Sequence, residues 1–474
     1  MIFNSFNFIV VYPLLFLLYY AIPGKDNKWR NLYLLLLSYL LYINFNAVYS
    51  LVLLGVTAVT FLAANTIEGQ SKRSKQKTIL TAGVLLALLP LIAFKYYNFI
   101  NGSIIGLMES VDISFQLPGL NLAIPIGISF FTFQSLGYLW DVYYGRIKSE
   151  KNFLDYALFV SFFPSIVSGP INKASLLLPQ IKRVRPRFNY SKVVAGLKLL
   201  LWGMFMKVVV ADRVALYVDT VFSHYENYSG LSCFVASLMY TTQIYVDFAG
   251  YSLMAIGVGK TLGFDLTENF RRPYLSYSVT DFWRRWHISL STWLKDYVYI
   301  PLGGSRCSKL KNYSNILITF LVSGIWHGAN WTFVVWGLWH GIFQCAEKAL
   351  NEQKCKYGVI GKTIKIAVTF MLVNFAWIFF RMPTLEDAVN MIVRIFDFSS
   401  MEGLYLPEKS NTLFMVMAVV MLAAKDIMDE FYQAKYRFFD SKNVCVRWAS
   451  YIAVLVLIMM TGVFDAGQFI YANF

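Results

Sequence analysis

Apolar stretches, most of about 16 to 30 residues, recur along the chain, each near or beyond the roughly 20 that cross a bilayer as a helix. They fall at residues 6–22, 32–43, 47–64, 79–94, 124–140, 193–221, 231–258, 364–380, 412–424 and 448–464. A further stretch, 315–345, is interrupted by Gly324, Trp326, His327, Gly328 and Asn330, and reads as one long tilted helix or as a broken pair. The run 154–180 carries Pro164, Gly169, Pro170 and Pro179 and has basic residues on both flanks, which predicts a re-entrant excursion. Such irregular backbone is tolerated in a membrane only against protein or a water-filled cavity. The pattern predicts an all-α polytopic membrane protein with about 11 spanning helices plus re-entrant pieces.

Charge gives the helices a direction. With the N-terminus outside, Lys25, Lys28 and Arg30, then Lys72, Arg73, Lys75 and Lys77, then Arg146, Lys148 and Lys151 all fall inside, while Glu109 and Asp112 fall outside. The first run lacks a basic leader and ends in Pro23-Gly24-Lys25 instead of a small-residue cleavage site, so it is expected to remain as a span. Residues 260–312, rich in Arg, Lys and Trp, are expected to form a cytoplasmic amphipathic or re-entrant region, and the aromatic tail 465–474 to emerge outside. No fixed-period repeat or low-complexity linker divides the chain, so 1–474 is expected to be one membrane domain.

Composition agrees: 57% of residues are hydrophobic and 15% charged, against about 45–50% and about 25% in soluble domains. Lys and Arg number 42 against 27 Asp and Glu, an excess of +15 that the positive-inside rule explains without nucleic-acid binding. Cys233, Cys307, Cys345, Cys355 and Cys445 lack CxxC spacing, which supports neither a disulfide framework nor a metal site; they are read as packing residues. Neither a Walker loop nor a GxSxG elbow is present.

Four histidines carry the candidate chemistry. His327 lies twelve residues into the 315–345 run, near the bilayer midplane, with flanking glycines that are expected to open room around it. An ionisable group at that depth reads as functional by default, and burial favours the neutral imidazole, a suitable general base. Asn330 is close enough in sequence to steady the ring or an oxyanion. His287 follows Trp283, Arg284 and Arg285 and precedes Ser289. That segment reads either as an interfacial amphipathic helix or as a polar entrance, with the arginines as forked partners for a phosphate-bearing donor. His340 reads as packing or interfacial and His224 as solvated.

The blocks Phe162-Phe163-Pro164 to Ser168-Gly169-Pro170-Ile171, Gln243-Ile244-Tyr245-Val246-Asp247-Phe248-Ala249-Gly250-Tyr251-Ser252 and Asn269-Phe270-Arg271-Arg272-Pro273-Tyr274 carry a resemblance, together with the two histidine segments. In this combination the chain resembles the membrane-bound O-acyltransferase family, and looks closest to the bacterial branch of alginate O-acetyltransferase membrane subunits and teichoic-acid D-alanyl transfer proteins. The resemblance implies helices ringing a thinned centre, with a cytoplasmic funnel and a narrow tunnel outward. It also implies His327 as the catalytic histidine and His287 as the second one, in the funnel.

The implied reaction moves an acyl group, with acetyl favoured, from a cytoplasmic thioester (acetyl-CoA or an acyl carrier protein) to a cell-surface polysaccharide or peptidoglycan. A secreted or membrane-anchored partner transferase is implied, as are residence in the cell membrane and no bound cofactor or metal. The tail is similar to an aromatic motif of the branch, which makes Tyr471 a candidate acyl relay. Ala472-Asn473 depart from that motif, and an interfacial aromatic anchor is the alternative. Two other functions stay open: D-alanyl transfer to teichoic acid, and a transporter, against which stand the absence of inverted repeats and of paired intramembrane charges.

Overall fold

A backbone in lipid has to satisfy its N–H and C=O groups within the chain, so the apolar runs become helices. The computed structural model describes residues 3, 5–23, 26–114, 116–184, 188–350, 358–397, 403–432 and 439–464. Its helices are α1 (Phe6–Ala21), α2 (Lys28–Ile43), α3 (Ala47–Glu68), α4 (Arg73–Glu109), α5 (Ile128–Tyr143), α6 (Phe153–Ser161), α7 (Phe163–Ile166), α8 (Ala174–Lys182) and α9 (Tyr190–Ser223). They continue with α10 (Gly230–Thr261), α11 (Val279–Arg285), α12 (Ile288–Leu294), α13 (Lys309–His327), α14 (Trp331–Ala349), α15 (Val359–Arg381), α16 (Leu385–Ile395), α17 (Lys409–Phe431) and α18 (Val444–Thr461). Short π-helical stretches interrupt α4 at Ile92–Tyr96 and α9 at Phe205–Ala211.

Twelve of these helices have 16 residues or more, and α3, α4, α9, α15, α17 and α18 are long and apolar enough to cross a membrane by themselves. The chain is a multi-pass membrane protein. Leu14, Leu17, Leu85, Leu89, Met459 and Met460 are exposed on helix surfaces, where lipid is their natural solvent. Alternating crossings gather Lys72, Arg73, Arg146, Lys182, Lys192, Lys260 and Lys309 at helix ends on one side, the basic face.

The 315–345 run is a broken pair, not one helix. α13 stops at His327, Gly328 is extended, and α14 starts at Trp331 and returns toward the basic face. Twelve helices of 16 residues or more among the described residues compare with the about 11 spans expected. His327 therefore ends a helix at a turn instead of sitting in mid-helix. The neighbouring glycines do not open room. A Cβ at Gly324 would run into the carbonyl oxygen of Phe333, and one at Gly337 into that of Phe320, so these glycines let α13 and α14 pack backbone to backbone. A similar seam joins α9 to α10, where a Cβ at Gly196 would lie 2.6 Å from the Gly257 oxygen and one at Gly203 2.6 Å from that of Gly250.

The excursion after α5 folds as α6, α7 and α8, largely buried against α2, α3 and α10. Its two ends meet on the basic face, where Lys182 pairs with Glu150 at 3.1 Å. That closes the re-entrant loop expected from its prolines.

Two expectations are corrected. Lys207, buried in the π-helical stretch of α9, pairs with Asp212 at 2.7 Å and Asp247 at 2.6 Å, so paired intramembrane charges are present. Asp247 reaches Lys207 from α10, a different helix, so that part of the cluster is not visible from neighbours along the chain. Cys445 is exposed instead of packed; Cys233 is buried and Cys307 and Cys345 are half-buried, while Cys355 lies outside the described residues.

Candidate active site

Residues 260–312 do not lie flat on the membrane surface. α11 and α12 turn inward, and Trp286 and His287 between them are both fully buried. Ser278 caps α11 by accepting from the Asp281 N–H at 3.0 Å, and the Glu347 carboxylate of α14 accepts from the Thr280 N–H at 3.0 Å. A carboxylate at a helix N-terminus meets the positive end of its dipole, which fastens α11 to α14.

His287 has left-handed backbone (φ 41°, ψ 53°), a conformation that costs a residue with a side chain roughly 1–2 kcal/mol. The strand-like segment before α11 holds it there: Ile288 N–H donates to Asn269 O at 2.9 Å and Arg271 N–H to Arg285 O at 2.9 Å. Asn269, absent from the candidates read in the sequence, also fixes the ring. Its Oδ1 accepts from Ser289 N–H (3.3 Å), from Ser289 Oγ (2.9 Å) and from His287 Nδ1 (3.0 Å), while its Nδ2 donates to Ser252 Oγ (3.0 Å). The backbone N–H identifies the acceptor as oxygen, so Nδ1 of His287 carries the proton and Nε2 is left with a lone pair. Nε2 has no hydrogen-bond partner among the described residues. Burial pushes the pKa of this imidazole down to about 3, which keeps it neutral. Ser289 thus serves to orient Asn269 and His287.

His327 brings a second imidazole to the same place, its ring centroid 6.3 Å from that of His287. Trp336 at 4.9 Å and Phe380 at 5.4 Å pack against His327. His340 is fully buried in the same aromatic cluster, 5.1 Å from Trp336 and 5.2 Å from Trp283. His340 stands on α14 and His327 at the end of α13. The Trp283 and Trp336 indole N–H groups, the Ser323 hydroxyl and both ring nitrogens of His340 are buried without a hydrogen-bond partner among the described residues. Such a concentration of unsatisfied polar atoms is rare in native interiors and marks a place built to receive a polar group.

A cavity of about 460 Å³ leads toward this cluster from the basic face. Its wall carries Arg284, Lys295 and Lys348, the hydroxyls of Thr280, Ser291 and Ser323, and Trp283. Ile288 of the same wall follows His287, and Ser323 is one turn from His327. His287 is 0% and His327 1% exposed, so the passage from funnel to imidazoles is closed here, with Trp283 and Trp336 between them. A second cavity of about 380 Å³ lies beyond Phe380, lined by Tyr225, Glu226, Arg381, Met382 and Asp387.

Two candidates read from the sequence have other occupations, and a third is not described. Arg285 pairs with Asp281 at 3.1 Å and with Glu430 at 2.8 Å, which leaves its fork engaged within the protein, whereas Arg284 is exposed on the cavity wall. Asn330 caps α14, accepting from Thr332 N–H at 3.1 Å and donating to Pro383 O at 2.7 Å; its amide is committed to the turn and not to the imidazole. Tyr471 lies outside the described residues.

Residues 144–382 match the sequence model of the membrane-bound O-acyltransferase family. The chain is 37% identical over 426 residues, 90% of its length and 80% of the relative's, to a probable alginate O-acetylase of Pseudomonas syringae pv. tomato. It is 34% identical to a peptidoglycan O-acetyltransferase of Helicobacter pylori, over 90% of this chain and 86% of that one. A teichoic acid D-alanyltransferase of Bacillus subtilis is more distant, at 25% identity over 69% of this chain and 82% of the relative.

Proposed function

Because the chain belongs to the membrane-bound O-acyltransferase family, we propose that it carries an acyl group, with acetyl favoured, from a thioester on the basic, cytoplasmic face to a hydroxyl reached from the other face. The acyl group is destined for a cell-surface or exported polysaccharide or peptidoglycan, and the protein resides in the cell membrane. The observation that carries this reading is the pair of imidazoles, their ring centroids 6.3 Å apart, buried behind a cavity whose wall bears three cations.

Under this reading the donor's phosphates rest against Arg284, Lys295 and Lys348, with its thioester at the Trp283 end of the funnel. His327 accepts the hydroxyl proton as the oxygen attacks the thioester carbonyl. The C–O bond forms, the C–S bond breaks, and the proton passes from the imidazolium to the leaving thiolate. General base catalysis of this kind contributes typically 10²–10⁴-fold. His287, with Nε2 free and its ring oriented by Asn269, positions donor or acceptor or shares the proton transfer. The outer cavity beside Phe380 is the acceptor's approach, and opening the passage requires Trp283 to swing aside. A secreted or anchored transferase then places the acyl group on the polymer, with Tyr471 as candidate relay.

D-alanyl transfer is the second reading, favoured by the teichoic acid relative but at lower identity than the acetylating ones. The purified full chain in liposomes, supplied with acetyl-CoA and with a peptidoglycan or polysaccharide fragment as hydroxyl acceptor, tests the proposal by release of the CoA thiol. Wild type should release thiol and His327→Ala should lose at least about 100-fold of that rate. Equal rates from the two proteins would refute His327 as the base.

A further inference from the structure

A helix leaves its last carbonyls without partners, and in a membrane interior each one has to be satisfied. α13 ends on His327, so this problem sits at the proposed base. The accounting is complete. The Gly324 oxygen accepts from Gly328 N–H at 3.3 Å, and that of Ile325 from the Tyr96 hydroxyl at 2.8 Å. The carbonyls of Trp326 and His327 accept from Lys95 Nζ, at 2.7 Å and 3.2 Å. The remaining ammonium proton points toward Ser129 Oγ at 3.4 Å.

Lys95 and Tyr96 reach this helix end from the π-helical stretch Ile92–Tyr96 of α4. The stretch begins two residues after Pro90, which cannot donate to the helical ladder. A π turn shifts the residues after it around the helix axis, and such turns gather at functional sites. Lys95 is buried, and its ammonium meets the negative end of the α13 dipole. A lysine in an apolar run, with no carboxylate hydrogen-bonded to it among the described residues, is costly unless it serves its surroundings.

We propose that Lys95, assisted by Tyr96, is the positioning residue of the active site: it caps the helix that carries His327 and so holds the imidazole at the reacting atoms. The inference rests on the reading of His327 as the base. Lys95 acts through His327 and touches no substrate. Removing the cap lets the last turn of α13 fray, and the imidazole drifts while the funnel on the basic face keeps its form. Turnover then falls without a change in donor binding.

The test measures kcat and KM for acetyl-CoA, by thiol release at a saturating glycan acceptor, for the liposome-reconstituted wild type, Lys95→Met, Tyr96→Phe and His327→Ala. Lys95→Met should keep KM within about twofold and lose roughly 10- to 100-fold in kcat, the scale of a misplacement of about 1 Å. Tyr96→Phe, which removes one hydroxyl and decides the matter where Lys95→Met does not fold, should lose about threefold in kcat at unchanged KM, less than one full bond's worth. Wild-type kcat in these variants, or a loss confined to KM, while His327→Ala is inactive, overturns the positioning role alone. Wild-type turnover in His327→Ala overturns the reading of the base, and this inference with it.

Discussion

Replacing Asn269 with Leu keeps the branched shape and heavy-atom count of the side chain but removes the acceptor of three donors: His287 Nδ1, Ser289 Oγ and Ser289 N–H. Asn269 and His287 are both fully buried, so water does not substitute. Each stranded donor costs about 1–3 kcal/mol, and because the three share one acceptor and relax together, the loss of stability should be about 3–5 kcal/mol. The larger consequence is chemical. Without Oδ1 to hold the proton on Nδ1, the neutral ring exchanges tautomers and Nε2 loses its fixed lone pair, which should reduce turnover by roughly 10²-fold. The assay is thiol release from acetyl-CoA by Asn269→Leu, His287→Ala and the double variant, with thermal unfolding of each purified protein. If Asn269 acts through His287, the double variant is no slower than His287→Ala. Wild-type turnover in Asn269→Leu, or multiplicative losses in the double variant, would refute the reasoning.

Three further outcomes follow from the same geometry. His287→Gly and His287→Ala should be equally inactive, but the glycine variant, free of the left-handed penalty at φ 41°, should unfold later by roughly 1 kcal/mol. Gly337→Ala drives a methyl into the Phe320 carbonyl at the α13–α14 seam and should cost about 1–3 kcal/mol in thermal unfolding, with activity falling in the same protein because the turn at His327 shifts. Arg284→Ala, on the cavity wall and outside the ion pairs of Arg285, should raise KM for acetyl-CoA several-fold and leave kcat unchanged, the mark of lost ground-state binding.

What the sequence made legible is what depends on neighbours along the chain. Periodic apolar runs announced the membrane helices, prolines the re-entrant α6–α8, and an isolated histidine in an apolar run the proposed base. What it hid depends on long-range geometry. Lys95 finds its carbonyl partner 231 positions away, so nothing beside it along the chain pointed to its role. Asn269 and His287 are 18 positions apart, with α11 between them. The role of Gly324 reverses because it faces Gly337 across the α13–α14 turn. Arg285 and Asn330 look available in sequence, and only Glu430 and Pro383, brought from far along the chain, show both to be engaged.

The most direct measurement counts ester-linked acetate at the cell surface, released by mild base, from cells that express wild type, His327→Ala or His287→Ala at equal membrane abundance. Wild type should raise surface acetate over an empty-vector control, and both variants should return it to the control level. Wild-type acetate from cells carrying His327→Ala would contradict acyl transfer at the buried imidazole pair.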